Sequence, residues 1–99
     1  MDNFNNQLLL EAFSNVGLYT QAETTILQKI LEVETDRVAI IPAKTLKKVL
    51  KLSHTAIYSS LKTLQLKGVI TKLNDIPHSY KVNYPKLDEA ISLYKKMRN

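Results

Sequence analysis

The sequence predicts an α+β fold, mainly helical, with its elements in the order α-α-β-α-α-β-β-α. Three observations lead there. Apolar residues recur every three to four positions along most of the chain, the period of helices with one buried face. Two short stretches rich in β-branched and aromatic residues, "VITKL" and "SYKVN", flank the turn-rich "NDIPH", as in an antiparallel hairpin. The 99 residues, 44% of them hydrophobic and with no low-complexity tract, suffice for one core, so residues 1–99 read as a single domain.

The first element, residues 3–16, sets Phe4, Leu8, Leu9, Ala12, Phe13 and Val16 on one helical face and closes at Gly17, a C′ glycine. Thr20 and Glu23 have capping-box spacing and open a second helix, whose buried stripe is Ile26, Leu27, Ile30 and Leu31. "RVAII", β-branched and closed by Pro42, reads as a brief strand. "AKTLKKVLKL" is a short helix with Leu46, Val49 and Leu50 inward and Lys44, Lys47, Lys48 and Lys51 outward. Ser53 caps the next helix and Gly68 ends it, and the hairpin follows. Pro85 suits the first turn of a last helix over residues 85–98. Its apolar side is Leu87, Ala90, Ile91, Tyr94 and Met97, and Asp88-Glu89 read as carboxylates complementing the helix dipole.

Charge divides the chain. Residues 1–36 hold one cation and six acids, residues 37–81 nine cations and one acid, and residues 82–99 four cations and two acids. The net charges are therefore −5, +8 and +2, which sum to the total of +5. A basic middle behind an acidic front points to a polyanion partner.

Other function classes fall away. The absence of cysteine removes disulfides, thiolate zinc sites and thiol catalysis. His54 and His78, the two histidines, have neither a Cys nor an Asp or Glu at ligand spacing on the same helix, and with Gly17 and Gly68 as the only glycines there is no phosphate-cradling loop. The expectation is a protein that is not an enzyme and needs neither metal nor cofactor. "DNFNNQ" after Met1 has no positive n-region, and the runs "LLL" and "VAII" fall far short of the roughly 20 residues of a spanning helix. A soluble, cytoplasmic protein with no membrane partner is expected.

"KLSHTAIYSSLKTLQLKGVI", residues 51–70, carries the functional signal. At about 100° per residue, Ile57, Leu61 and Leu64 point inward with small Ser60 beside them. Thr55, Ser59, Lys62 and Leu66 point the opposite way, with Tyr58 on the flank and His54 in the first turn. Ser, Thr and His are mediocre helix formers, so a helix built only to pack a core has no use for them on its outer face. Joined to the preceding short helix through "LS", this segment makes a helix-turn-helix whose second helix fits a DNA major groove. Short hydroxyls permit close approach to base edges, and Tyr58 and Lys62 reach phosphates.

"LKKVLKLSHTAIYSSLKTLQLKGVI" followed by a hairpin resembles the winged helix-turn-helix superfamily over residues 20–84. The resemblance lies in the apolar spacing of the first helix, the Ser cap, the "L..L..KGVI" close and the wing. It implies sequence-specific binding of double-stranded DNA. The implied surface comprises Lys44, Lys47 and Lys48, then Ser53, His54, Thr55, Tyr58, Ser59 and Lys62, and on the wing Lys72, Asn74, His78 and Lys81. The wing tip departs from many relatives, offering Asn74, Asp75, Ile76 and Pro77 in place of Arg or Lys, so deep minor-groove insertion is not implied. The outline is similar to compact transcriptional repressors of the MarR, ArsR and PadR kinds. It is also similar to the centromere-binding adaptors of tubulin-like, type III plasmid and phage partition systems. Those adaptors coat repeated DNA sites and are held by the tail of a filament-forming GTPase, which implies a nucleoid- or plasmid-associated location.

A core of three helices and a hairpin leaves the terminal helices with apolar area to spare. That predicts a symmetric homodimer through Leu8, Phe13, Leu87, Ile91 and Tyr94, suited to paired, palindromic or repeated half-sites. The competing reading is a winged-helix module that binds only protein. It is favoured by the lack of Arg between residues 38 and 97, Arg being the commonest base reader, and opposed by the lysine density. RNA is disfavoured because no aromatic-rich strand is present to stack bases.

Overall fold

The computed structural model describes residues 11–13, 15, 17 and 19–98, and over these the chain is α+β, mainly helical, with one small antiparallel sheet. Helical residues 11–13 and 15 precede α1 (Gln21–Val33), β1 (Ala39–Ile40), α2 (Ala43–Leu50), α3 (His54–Leu66), β2 (Ile70–Leu73), β3 (Ser79–Val82) and α4 (Tyr84–Arg98). The sheet order is β1-β3-β2. None of the described helices is long and apolar enough to cross a membrane.

The expected capping box opens α1. Glu23 N–H donates to Thr20 Oγ1 at 3.1 Å and Thr20 N–H donates to Glu23 Oε1 at 3.3 Å, so two otherwise orphaned donors are satisfied reciprocally. Ile26, Leu27 and Ile30 are buried, while Leu31 is only half-buried at the edge of the stripe.

The strand read over "RVAII" is shorter than its composition suggests. Asp36 and Arg37 both take positive φ, at 52° and 68°, and Thr35 and Val38 exchange backbone hydrogen bonds of 2.9 and 3.0 Å around them. This is a two-residue primed turn, which consumes the residues before Ala39 and hands only Ala39 and Ile40 to the sheet. Nothing in "TDRV" announces it, because such turns favour Asn-Gly. The pairing Ala39↔Tyr80 and Ile40↔Ser79 then fixes β1 to the far strand of the hairpin.

Pro42 carbonyl accepts from Thr45 and Leu46 N–H and starts α2. Leu46 is fully buried and Leu50 half-buried, but Val49, expected inward, is 48% exposed. Leu46 and Leu50 lie one turn apart on a narrow ridge, and Val49 sits on its rim, which no described element covers. The helix ends at Lys51, held at φ 57° with its N–H donating to Lys47 O at 2.9 Å. Ser53 Oγ then accepts from Ala56 N–H at 3.1 Å and begins α3, so the joint between the two helices is three residues long.

Ile57, Leu61 and Leu64 of α3 enter the core with Ser60, in the expected phase. At its end Gly68, at φ 76°, donates to Gln65 O, and Val69 N–H donates to Leu64 O, both at 3.0 Å. These are the two bonds of a Schellman motif, and the accompanying apolar contact is between buried Val69 and Leu64.

The hairpin registers Ile70↔Val82, Thr71↔Lys81, Lys72↔Tyr80 and Leu73↔Ser79. Asn83 joins hairpin to last helix: its N–H donates to Val69 O, its side-chain amide donates to Gly68 O, and its carbonyl receives Lys86 and Leu87 N–H. Because α4 therefore begins at Tyr84, Asp88 and Glu89 fall in its second turn, beyond the reach of the dipole. Glu89 instead pairs with Lys86 at 3.9 Å. Tyr84 hydroxyl donates to Glu34, linking the start of α4 to the end of α1.

The core holds residues from every described element, and it includes Ala12 and Phe13 of the N-terminal segment and Leu87 and Ala90 of α4. Phe13 is wholly buried and stacks on Tyr19, with ring centroids 4.2 Å apart. Of the residues assigned to a dimer contact, Phe13 and Leu87 therefore lie inside the chain's own core, and Ile91 and Tyr94 pack half-buried against it. The reason is that the core extends beyond three helices and a hairpin to include the terminal segments. Leu8 lies outside the described residues. Met97, expected on the buried side of α4, is 57% exposed together with Leu93 at 40%.

Candidate nucleic-acid interface

The outer face of α3 is built by what its inner face must do. With Ile57, Leu61 and Leu64 pinned in the core, helix geometry sends Thr55, Ser59, Lys62 and Leu66 to the opposite side, and all four are exposed. Ser59 carbonyl accepts from Thr63 Oγ1 at 2.9 Å, but no hydrogen bond of the described residues uses the Thr55 or Ser59 hydroxyls. Ser53, by contrast, has its oxygen engaged as the helix cap, which makes it a structural member of the group.

The structure brings four of the sequence-assigned residues into one place. Lys44 and Lys47 of α2 and His54 and Tyr58 of α3 line a concavity of about 150 Å³, floored by Ala43 and Ile57. The His54 and Tyr58 rings lie 4.5 Å apart at a tilt of 45°. Burial pushes the Tyr80 phenol above its ordinary pKa, and the neighbouring Tyr58 phenol adds to the effect. Tyr80 itself belongs to the buried core, on β3. Its position two residues before Val82, on the same strand face as Ile70, was the sequence signal that could have placed it here.

The four residues assigned to the hairpin separate. Lys72 lies directly across from Tyr80 and shares its sheet face, the one that carries buried Ile70 and Tyr80, whereas Lys81 lies across from Thr71 on the other face. Lys72 and Lys81 therefore do not share one surface, because side chains alternate with a period of two along each strand. Asn74 and His78 are exposed in the connecting loop. His78 takes φ 58° and its carbonyl receives Ile41 N–H at 2.9 Å, so its backbone helps seat the loop against the start of α2.

The lysines of this segment are largely without acidic partners. Lys44, Lys47, Lys48, Lys51, Lys62, Lys72 and Lys81 are all exposed, and among the described residues none has a carboxylate within 4 Å. Lys67 is the exception in this segment: its ammonium lies 2.9 Å from the buried carboxylate of Glu23 and 4.6 Å from the centroid of the Tyr19 ring. Seven exposed lysines without a carboxylate partner, spread over residues 44–81, leave α2, α3 and the hairpin with an excess of positive charge. Among the described residues no group of three His, Asp or Glu side chains is placed to hold a metal ion. No protein-family model matches the chain, and no curated protein or solved structure does either.

Proposed function

We propose that the chain is a sequence-specific double-stranded DNA-binding protein of winged helix-turn-helix architecture. The observation that carries the reading is the exposed stripe of Thr55, Ser59 and Lys62 on α3, the second of two helices joined by a three-residue turn and flanked by unpaired lysines. The order α1-β1-α2-α3-β2-β3 and the central place of β3 in the sheet support the architecture. In this reading α3 lies in the major groove. Thr55 and Ser59 meet base edges, and Lys44, Lys47 and Lys62 meet phosphates.

The experiment divides reading from holding. Thr55→Ala combined with Ser59→Ala is expected to narrow the gap between cognate and scrambled duplexes by about 1–3 kcal/mol. Binding to scrambled DNA should hardly change. Both positions are exposed and alanine favours helix, so circular dichroism should be unaltered. A double variant that keeps its full preference for the cognate site would show that α3 does not read bases. Wild-type chain that elutes from heparin with little salt dependence would point instead to the protein-binding module.

A homodimer belongs to the same proposal, with its contact moved. Since Phe13 and Leu87 are internal, the apolar surface available on the last helix is Leu93 and Met97, one turn apart. A second copy is the fitting occupant, because paired half-sites require two reading helices. Light scattering at micromolar concentration should give a dimer mass that Leu93→Asp with Met97→Asp reduces to the monomer. A monomer mass for the unmodified chain would reject the dimer. A dimer on a single palindrome is a repressor's arrangement, and an array of direct repeats together with co-sedimentation with a tubulin-like filament would mark the partition adaptor.

A further inference from the structure

Leu66 is the large aliphatic residue of α3 that lies outside the core. It is 77% exposed, more than any other large apolar side chain among the described residues. Its phase is that of Thr55, Ser59 and Lys62: positions i, i+4, i+7 and i+11 fall within about 60° of one another on a helix. The chain then leaves the stripe at once. The Schellman turn at Gly68 carries Val69 into the core, and Lys67 folds back onto Glu23 and the Tyr19 ring. Nothing described stands between Leu66 and a surface approaching α3 from outside.

We propose that Leu66 reads the 5-methyl group of a thymine and so fixes a T·A pair at the far end of the site. The inference rests on α3 being the groove helix. Its chemistry is selective. In the major groove the edges of G, C and A present donors and acceptors, and thymine adds the one apolar group. A leucine side chain has nothing to offer a donor or acceptor, and pressed against one it would strip away water without replacing the hydrogen bond. Against a methyl it removes apolar surface of both partners from water. The distance is suitable as well. Eleven residues rise about 16 Å along the helix axis. With bases stacked about 3.4 Å apart along a strand, this places the thymine four to five steps from the base met by Thr55.

Thymine-to-uracil exchange tests this, because it removes the methyl and leaves every hydrogen-bonding group in place. The full chain is titrated by fluorescence anisotropy against its selected cognate duplex and against a series with single dT→dU replacements. One position four to five steps from the Thr55 end is expected to weaken binding about threefold to fivefold, the share of one buried methyl. Leu66→Ala should weaken binding to the thymine duplex and erase the difference between thymine and uracil at that position alone. Leu66→Met, which keeps an apolar tip, should retain it. The variants disturb no core packing, since the side chain is exposed. Cognate binding indifferent to every dT→dU replacement would overturn the inference while leaving the DNA reading intact. A uracil penalty that survives Leu66→Ala would do the same. A chain that binds no duplex would overturn both.

Discussion

Alanine at Lys44, Lys47 and Lys62 together is expected to lower the affinity for cognate and scrambled duplexes alike, on the order of several hundredfold at 0.1 M salt. The magnitude follows from counterion release. Each neutralised phosphate contributes about −0.9 to the slope of log K against log salt, so three lost contacts flatten it by about 2.7. Lys44 and Lys47 stand beside His54 and Tyr58 at the mouth of the concavity, and Lys62 lies one turn beyond Tyr58 on α3. None has a carboxylate neighbour among the described residues, so their removal leaves no unpaired acid and should not disturb folding. Binding curves at four or more salt concentrations, with circular dichroism alongside, provide the measurement. A slope equal to that of the unmodified chain would mean that these lysines touch no phosphate. The ratio of cognate to scrambled affinity should stay where it was, in contrast to the outcome for Thr55 and Ser59.

Phe13→Ala should destabilise the fold by about 3–5 kcal/mol, the cost of a large buried aromatic with the cavity it leaves. Phe13 is fully enclosed, lies among the core residues with Ala12, Leu87 and Ala90, and stacks on Tyr19. Tyr19 in turn lies beneath Lys67, which holds Glu23. The lost aromatic therefore loosens a contact chain from the N-terminal segment to the end of α3. Urea unfolding is the readout, repeated over a wide range of protein concentration. Because the side chain is buried within one chain, the loss should be the same at every concentration. A loss that grows as the protein is diluted would place Phe13 between two copies and contradict its internal position.

The two surfaces differ in how far they could be read in advance. Local chemistry carries its own signature. Thr20 with Glu23, Ser53 before Ala56, and Gly68 after Leu66 mark helix ends because each satisfies backbone groups a few residues away, and all three do so. The phase of α3 was legible for the same reason. Once Ile57, Leu61 and Leu64 are inward, no freedom remains for Thr55, Ser59 and Lys62. Val49 and Met97 show where periodicity stops being sufficient. A period says which residues share a face but not how wide the neighbouring element is, and both sit on rims that remain uncovered.

The sequence by itself therefore determined the order of elements from α1 to α4, the helix ends at Thr20, Ser53 and Gly68, the basic segment and the outer face of α3, all of which depend on residues within a turn or two of one another. Only the tertiary structure decided what depends on distant parts of the chain meeting. It put β1 against β3 through Ala39 and Tyr80, 41 positions apart, after a primed turn that no glycine announces. It split Lys72 from Lys81 by fixing the hairpin register, since a shift of one residue would exchange their faces. It gathered Lys44, Lys47, His54 and Tyr58 around one concavity. It also drew Phe13 and Leu87 inward, where apolar area is removed from water within a single chain and is no longer available to a partner.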